Sequence, residues 1–438
     1  MRKEVIPRKA KALVLPKDKT LRELIQKYSG NTPRYTSYPT ALEFSDAVDT
    51  KAWHAALSDE IRGEFRPSLY LHLPFCHSLC YFCACNKKIA RDDSQVQPYI
   101  SALRAELEAY KSIIPRAVPL QQLHWGGGTP NFLSPGASVE VYEICRELFS
   151  ELTEDADVSV EIDPRSLRSH HLETYKQLGF NRLSLGVQDF NERVQVAINR
   201  IQPFEQVRDT CAEARNLGFS SINFDLIYGL PLQERVSFSR TLEQVISLRP
   251  ERIALYGYAH VTWKKKVQKS LQRHDLPSPE DRVELFLLAL GELISAGYRY
   301  IGMDHFALPE DSLSRALDEG NLNRNFMGYS THKGTSVIGA GVSAISSCSS
   351  VIAQNTSDFD EYLSSSSPDN GKICRGLSRS FDDQIRCDLI EHILCQGHLD
   401  FPEFEKRWSV NFVETFEMEL IEIKKLEKDV LVEMTDNS

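Results

Sequence analysis

The residues of this chain best suited to chemistry lie close together, in the segment Tyr70-Leu-His-Leu-Pro-Phe-Cys76-His-Ser-Leu-Cys80-Tyr-Phe-Cys83-Ala-Cys85. Cys76, Cys80 and Cys83 stand at C-x3-C-x2-C spacing, which brings three thiols onto one short loop. Thiolates are soft ligands that favour iron-sulfur clusters, and three of them leave one iron of a cubane open to an outside molecule. Phe75, Tyr81 and Phe82 are placed to exclude water, and backbone N–H groups in so tight a loop can point at the sulfurs and tune the potential. A structural zinc site would pair C-x2-C with a second Cys or His pair, and none at that spacing follows. Cys85 stays open between a fourth ligand, a family marker and a spare thiol.

A second motif is Leu123-His124-Trp125-Gly126-Gly127-Gly128-Thr129-Pro130. It lacks the spacing of a dinucleotide or P-loop motif, so it reads either as a tight turn or as a backbone cradle for an amino acid's ammonium or carboxylate. Glu161 and Asp163 are carboxylates that could accept hydrogen bonds from a ribose or ammonium, or could pair with Arg165 or Arg182. Gln188, Arg200 and Asp225 are polar groups that a surface or a hydrogen-bond network would explain equally well. His72, His124, His260 and His305 form no H-x-x-x-H or H-E-x-x-H pair, and isolated histidines are usually packing residues. No G-x-S-x-G elbow is present.

The elements that must position these residues follow from an alternation of short apolar runs and longer amphipathic stretches, the pattern of βαβ units. Strands are predicted at Ser68–Leu73, Gln122–Trp125, Val158–Ile162, Arg182–Leu185, Ser221–Leu226 and Arg252–Tyr256, with helices such as Pro98–Ser112 and Val139–Leu148 between them. Cys76, the glycine run, Asp163, Gln188, Tyr228 and Ala259 each come just after a strand, where parallel barrels put their chemistry. A full barrel needs eight strands, so six predict a partial one. Residues 1–65 are expected to form an arm whose stretch Pro33-Arg-Tyr-Thr-Ser-Tyr-Pro-Thr40 could cover the site. The barrel and its extension are expected over 66–350, and a small helical domain over 351–438, after the loop Ser364–Gly371.

A net charge of -10 opposes non-specific nucleic-acid binding. The basic N-terminus (Arg2, Lys3, Arg8, Lys9, Lys11) reads as a solvated tail with no apolar stretch after it. The most apolar helix, Val283–Ala296, is interrupted by Glu284 and Glu292 and is too short to span a bilayer. Four of the ten cysteines cluster and six are scattered, which argues for a reducing compartment, hence cytoplasm, with the scattered thiols as core residues.

The cysteine loop, the Gly-Gly-Gly-Thr-Pro run and the six βα units resemble the radical S-adenosylmethionine superfamily. Pro33–Thr40, Cys85, Gly186-Val-Gln188-Asp-Phe190, Asn223-Phe-Asp225-Leu-Ile-Tyr228-Gly-Leu-Pro231 and Gly302-Met-Asp-His305-Phe resemble, within it, the oxygen-independent coproporphyrinogen III oxidases, from about Leu24 to about Leu426. This resemblance implies a [4Fe-4S] cluster on Cys76, Cys80 and Cys83, whose open iron binds one S-adenosylmethionine, with a second molecule beside it. Tyr70, Gly127, Glu161 and Ile345 are then implied to contact the first, and Phe82, Gly128, Thr129, Gln188, Arg200, Asp225 and Ala259 the second. It implies a 5'-deoxyadenosyl radical that takes hydrogen from propionate side chains, converting coproporphyrinogen III to protoporphyrinogen IX in haem synthesis. An electron-donor protein of unknown identity is implied as a partner, and a monomer as the state.

The sequence departs from the family pattern at Ala84 and Thr262, where glycine and proline are common, and in stopping at Ser438, soon after Val430 to Val432. The rival is a haem chaperone of the same superfamily, against which Cys85 and the tyrosine-rich stretch both argue. A nucleic-acid-binding role for the C-terminal helices is opposed by Glu403, Glu405, Glu414, Glu417, Glu419 and Glu422.

Overall fold

The structure is a computed structural model that describes residues 23–24, 27–28, 38–62, 65–115, 118–364, 372–429 and 431–435. Most of the tyrosine-rich stretch, residues 33–37, and most of the loop expected at 364–371 lie outside the described residues. The chain divides into two compact units, one of residues 41–314 and 334–379, the other of residues 1–40, 315–333 and 380–438.

The larger unit is built on one twelve-stranded sheet. Its strands are β1 (Pro67–Leu73), β2 (Leu120–Gly127), β3 (Leu152–Ile162), β4 (Arg182–Gln188), β5 (Ser221–Tyr228), β6 (Arg252–Gly257), β7 (Arg299–Gly302), β8 (His305–Ala307), β9 (Ser336–Ala340), β10 (Ile345–Ser347), β11 (Val351–Asn355) and β12 (Ile373–Ser378). Their order is β12-β11-β10-β9-β1-β2-β3-β4-β5-β6-β8-β7. The pairs from β9–β1 through β5–β6 are parallel, and the strands outside them are antiparallel. All six predicted strands are present, each longer than expected by one or more residues. The helices between them are α1 (Val96–Tyr110), α2 (Pro135–Leu148), α3 (His171–Gln177), α4 (Glu192–Ala197), α5 (Phe204–Asn216) and α6 (Arg235–Leu248). Helix α2 starts where Ser134 accepts from the Ala137 N–H and Pro135 fills the first turn, which needs no donor.

Parallel strands covered on both faces usually read as continuous apolar runs, and these do not. Leu69, Leu71 and Leu73 of β1, Leu123 and Trp125 of β2, Val158 and Val160 of β3 and Leu183 and Leu185 of β4 are buried in one core with Tyr99, Leu103 and Leu107 of α1 and Val141 and Ile144 of α2. The alternate positions carry Ser68, Tyr70, His72, Gln122, His124, Asp157, Ser159 and Glu161, because strand side chains alternate between faces. The helix-covered face is therefore apolar and the opposite face polar. A barrel interior filled only by its own side chains would be apolar, so a polar inner face is suited to a ligand.

The domain boundaries expected at 65/66 and 350/351 differ from this architecture. A helix at Thr50–Ile61 places Trp53 and Leu57 in the large core. Strands β11 and β12 extend the main sheet, so the helical part begins only at Phe381. The smaller unit consists of helices Phe381–Gln396, Phe401–Trp408, Phe412–Thr415 and Glu417–Lys428, with the hairpin strands Asn323–Asn325 and Gly328–Ser330. Ile385, Phe404, Phe412 and Phe416 form its own core. Among the described residues, no helix is long and apolar enough to cross a membrane.

Candidate active site

The strand registers set polar side chains next to one another across the inner face. Tyr70 lies opposite His124 on one side and Gly339 on the other, and His124 lies opposite Ser159. Glu161 lies opposite Ser184, Ser184 opposite Asn223, and Gly186 opposite Asp225. Hydrogen bonds follow these rows, His124 Nδ1 meeting Ser159 Oγ at 2.8 Å and Asn223 Nδ2 donating to Ser184 Oγ at 2.9 Å, and Ser184 Oγ donates diagonally to Asp225 at 3.0 Å. The Tyr70 ring stacks on His124 at 5.8 Å between centroids, and its hydroxyl meets His72 Nδ1 at 3.0 Å.

The cysteine loop leaves the end of β1 and is tied to its neighbours by backbone bonds. Gly128 N–H donates to Leu73 O and Thr129 N–H to Phe75 O, both at 2.8 Å, while Tyr81 N–H donates to Ile198 O at 3.0 Å. The thiols of Cys76 and Cys80 have polar donors near them, and Lys87 lies by the Cys83 thiol while bonding its backbone carbonyl. Thr129 Oγ1 lies 3.5 Å from Cys76 Sγ, and Arg165 Nη2 and Arg200 Nη1 lie 3.4 Å and 3.7 Å from Cys80 Sγ. Lys87 Nζ donates to Cys83 O at 3.2 Å.

The thiol of Cys85 hydrogen-bonds that of Cys83, which with the nearby Lys87 charge lowers the Cys83 pKa against the effect of burial. Burial pushes Cys76 up to about 11, with Thr129 opposing it. The scattered Cys145, Cys211 and Cys395 are pushed by burial to about 12, as inert core thiols should be. Cys374, in contrast, is exposed, so the expectation that the scattered thiols are core residues does not hold for it.

The glycine run is dictated by neighbours within the chain. A Cβ on Gly126 would sit 2.8 Å from Glu161 Oε1, one on Gly127 2.5 Å from the His72 ring, and one on Gly128 2.4 Å from the Pro74 carbonyl. Gly127 also has a φ of +108°. Its N–H donates to Glu161 Oε2 at 3.1 Å. The run thus locks the cysteine loop, β2 and Glu161 together.

Glu161 keeps a side chain that is 40% exposed. Burial would raise its pKa, but the His124 hydrogen bond and charge and the Gly127 N–H bring it below the usual value. Asp163 takes the ion-pair role, held by Arg165 at 2.7 Å and Arg200 at 3.1 Å, whereas Arg182 pairs with Asp157. Arg200 also donates through Nη2 to Gly186 O at 2.6 Å. A Cβ on Gly186 would meet Arg200 Nη2 at 2.9 Å and Gln188 Nε2 at 3.0 Å, so the glycine is what lets these two side chains share one place. Burial and the Glu161 charge raise Asp225 to about 7, against hydrogen bonds from Ser184 and Asn223.

Of the residues expected to contact a first cofactor molecule, Tyr70, Gly127 and Glu161 are linked through His124 and the Gly127 N–H, and the Ile345 backbone lies against Gly339 beside Tyr70. Of the second set, Gly128 and Thr129 sit under the cysteine loop, Gln188 and Arg200 meet at Gly186, and Asp225 lies opposite that glycine. Phe82 and Ala259 form a separate pair whose carbonyls both accept from Gln268 Nε2, at 3.0 Å and 3.1 Å. Sequence reasoning gave no role to Gln268, nor to Asn199, whose Nδ2 holds Leu79 O at 2.8 Å, and it weighed Arg165 only as an ion-pair partner. The adjacency of Asn199 to Arg200, and of Arg165 to Asp163, was the available signal.

Among the described residues no three His, Cys, Asp or Glu side chains converge on a single ion. A cubane instead takes one thiolate per iron and so needs its sulfurs apart. The donor set fits such a group, since three cysteines on one loop have Arg165, Arg200, Lys87 and Thr129 beside them to offset thiolate charge. His72, bonded to Asn86 O at 2.8 Å, and His260, bonded to Tyr258, are hydrogen-bonded packing residues.

The model of the Radical SAM superfamily matches residues 70–245, which span the cysteine loop through β5 and into α6. The oxygen-independent coproporphyrinogen III oxidase of Pseudomonas aeruginosa is 41% identical over 94% of this chain and 90% of its own length, and that of Escherichia coli is 41% identical over the same shares. The solved structure of the Escherichia coli coproporphyrinogen III oxidase, described as a radical SAM enzyme, superposes with a TM-score of 0.89 at 40% identity, over 95% of this chain and 93% of that one. With the cysteine loop, the polar inner face and these near-full-length likenesses in hand, the chain belongs to the oxygen-independent coproporphyrinogen III oxidases of the radical SAM superfamily.

Proposed function

We propose that this protein carries out the oxygen-independent oxidative decarboxylation of two propionate side chains of coproporphyrinogen III to vinyl groups, giving protoporphyrinogen IX for haem synthesis. The observation that carries this reading is the loop of three thiols at the end of β1, set on the rim of a sheet whose inner face is polar. When bound, a [4Fe-4S] cluster and S-adenosylmethionine would supply the one-electron chemistry that hydrogen removal from the substrate needs. Cys76, Cys80 and Cys83 hold the cluster, and Arg165 and Arg200 offset its charge at Cys80.

Glu161 offers a carboxylate to a bound ammonium or ribose, fixed in aim by His124 and Gly127. Tyr70 walls this place, with its ring held on His124. Gly127 and Ile345 complete the contacts to a first S-adenosylmethionine. Phe82, Gly128, Thr129, Gln188, Arg200, Asp225 and Ala259 are assigned to a second molecule. The fixed polar groups cost no reorganisation when charge moves, and a closed site keeps water from the radical. An electron-donor protein, a cytoplasmic location and a monomeric state complete the reading.

The test is anaerobic incubation of reconstituted, reduced protein with coproporphyrinogen III and S-adenosylmethionine. Two carbon dioxide molecules should be released for each protoporphyrinogen IX formed. Release of 5'-deoxyadenosine with the porphyrinogen recovered unchanged would overturn the assignment.

A further inference from the structure

In a chain of net charge -10, one cavity beside the cysteine loop has only cations, Lys87, Lys265 and Arg375, as the charged members of its lining. Its volume is about 720 Å³, within the range of small-molecule sites. Cys85 and Lys87 reach it from the loop after β1, Lys265 from the loop after β6, Ser343 from the turn after β9, and Gln354 and Arg375 from β11 and β12. No Asp or Glu lines it.

Among the described residues, none of the three cations is held by a carboxylate. Lys87 donates to Cys83 O at 3.2 Å, Arg375 Nε donates to the neutral Gln354 side chain at 2.8 Å, and Lys265 closes a turn through its backbone N–H on Val261 O at 2.9 Å. Elsewhere in this unit, arginines inside or beside the sheet are matched by acids, as Arg182 is by Asp157 and Arg252 by Asp311. Unbalanced positive charge in a concave, partly desolvated wall raises the local concentration of anions and holds carboxylates through charge-assisted hydrogen bonds.

We propose that this cavity receives propionate carboxylates of the substrate, with Lys265 and Arg375 as the anchoring cations. The proposal rests on the porphyrinogen reading above and adds to it the residues that recognise the ring's acidic side chains. Because the two cations belong to separate elements, one macrocycle can be held by two of its carboxylates at once, and that fixes how the ring is turned. Lys87, tied to the backbone of Cys83, brings the same wall up to the cluster loop, so an anchored ring lies beside the place where hydrogen is removed.

The test uses reconstituted holoenzyme and steady-state kinetics with coproporphyrinogen III in Lys265→Gln, Arg375→Gln and Lys265→Arg, with iron content measured for each. Each glutamine variant should raise KM roughly tenfold, the loss of about one charge-assisted hydrogen bond, with a much smaller change in kcat. Lys265→Arg should stay close to wild type. Raising the salt concentration should raise the wild-type KM and leave that of the double glutamine variant nearly unchanged. KM values within twofold of wild type in both glutamine variants, with full iron content, would overturn the cavity assignment alone. If wild-type holoenzyme bound no coproporphyrinogen III in an anaerobic titration, the porphyrinogen reading would fall, and this assignment with it.

Discussion

Replacing Asp225 by asparagine should change how the stability of the cluster-free protein depends on pH. Burial and the Glu161 charge raise Asp225 to about 7, while an aspartate in an unfolded chain titrates near about 3.9. Between those values the folded protein holds a proton that the unfolded chain has released. The stability that Asp225 contributes is thus fully present below the unfolded pKa and is lost as pH rises through the folded one. One group gives a slope of at most about 1.4 kcal/mol per pH unit, so between pH 5 and 6.5 wild type should lose up to about 2 kcal/mol relative to Asp225→Asn. Asp225 is not fully buried, so solvent screening trims this figure. Urea unfolding of both proteins at several pH values from 5 to 8 measures the difference directly. It should grow with pH and level off above the folded pKa, and in a Glu161→Gln background the window should move to lower pH because the like charge is gone. Stability curves for wild type and Asp225→Asn that run parallel from pH 5 to 8 would refute the reasoning.

Gly127→Ala forces a Cβ to within 2.5 Å of the His72 ring at a φ of +108°, and overpacking plus backbone strain should cost about 2–5 kcal/mol in urea unfolding. Arg200→Met leaves buried Asp163 with Arg165 alone and takes two donors from Gly186 O, so a loss of about 3–5 kcal/mol is expected. Arg200→Lys should recover less than half of that loss, since an ammonium cannot span both acceptors. Cys80→Ala should lose the brown chromophore and the release of 5'-deoxyadenosine, whereas Cys145→Ser, in the core, should keep its iron content; absorbance and iron analysis check both.

The six central strands were legible because each is a run of four or more residues set between amphipathic helices. β9 to β12 were not, because Ser336–Ala340 and Ile345–Ser347 are short and rich in serine, glycine and alanine, and their antiparallel pairing leaves no helix between them to mark the boundary. The helical region was placed from residue 351, although Val351–Asn355 and Ile373–Ser378 are sheet, the two strands being separated by the short helix Phe359–Ser364. The cysteine loop was readable from spacing alone, since its ligand set is local. Arg165 and Gln268 were not, because their roles depend on loops 85 and 186 residues away in sequence meeting on one rim. The glycine run was left open between a tight turn and a ligand cradle, and the room a side chain would need there is taken by His72, Glu161 and Pro74. Residue type showed that the backbone must come close to something, and only the fold shows to what.

The proposed reaction requires that one iron of the cluster have no ligand from this chain and take one from S-adenosylmethionine. Pulsed electron-nuclear double resonance on the reduced, anaerobic protein with S-adenosylmethionine labelled with ¹⁵N at its methionine amine measures this directly. A hyperfine coupling from the labelled nitrogen to the cluster is predicted in wild type and in Cys85→Ala alike. A cluster signal with no such coupling when S-adenosylmethionine is saturating would contradict it.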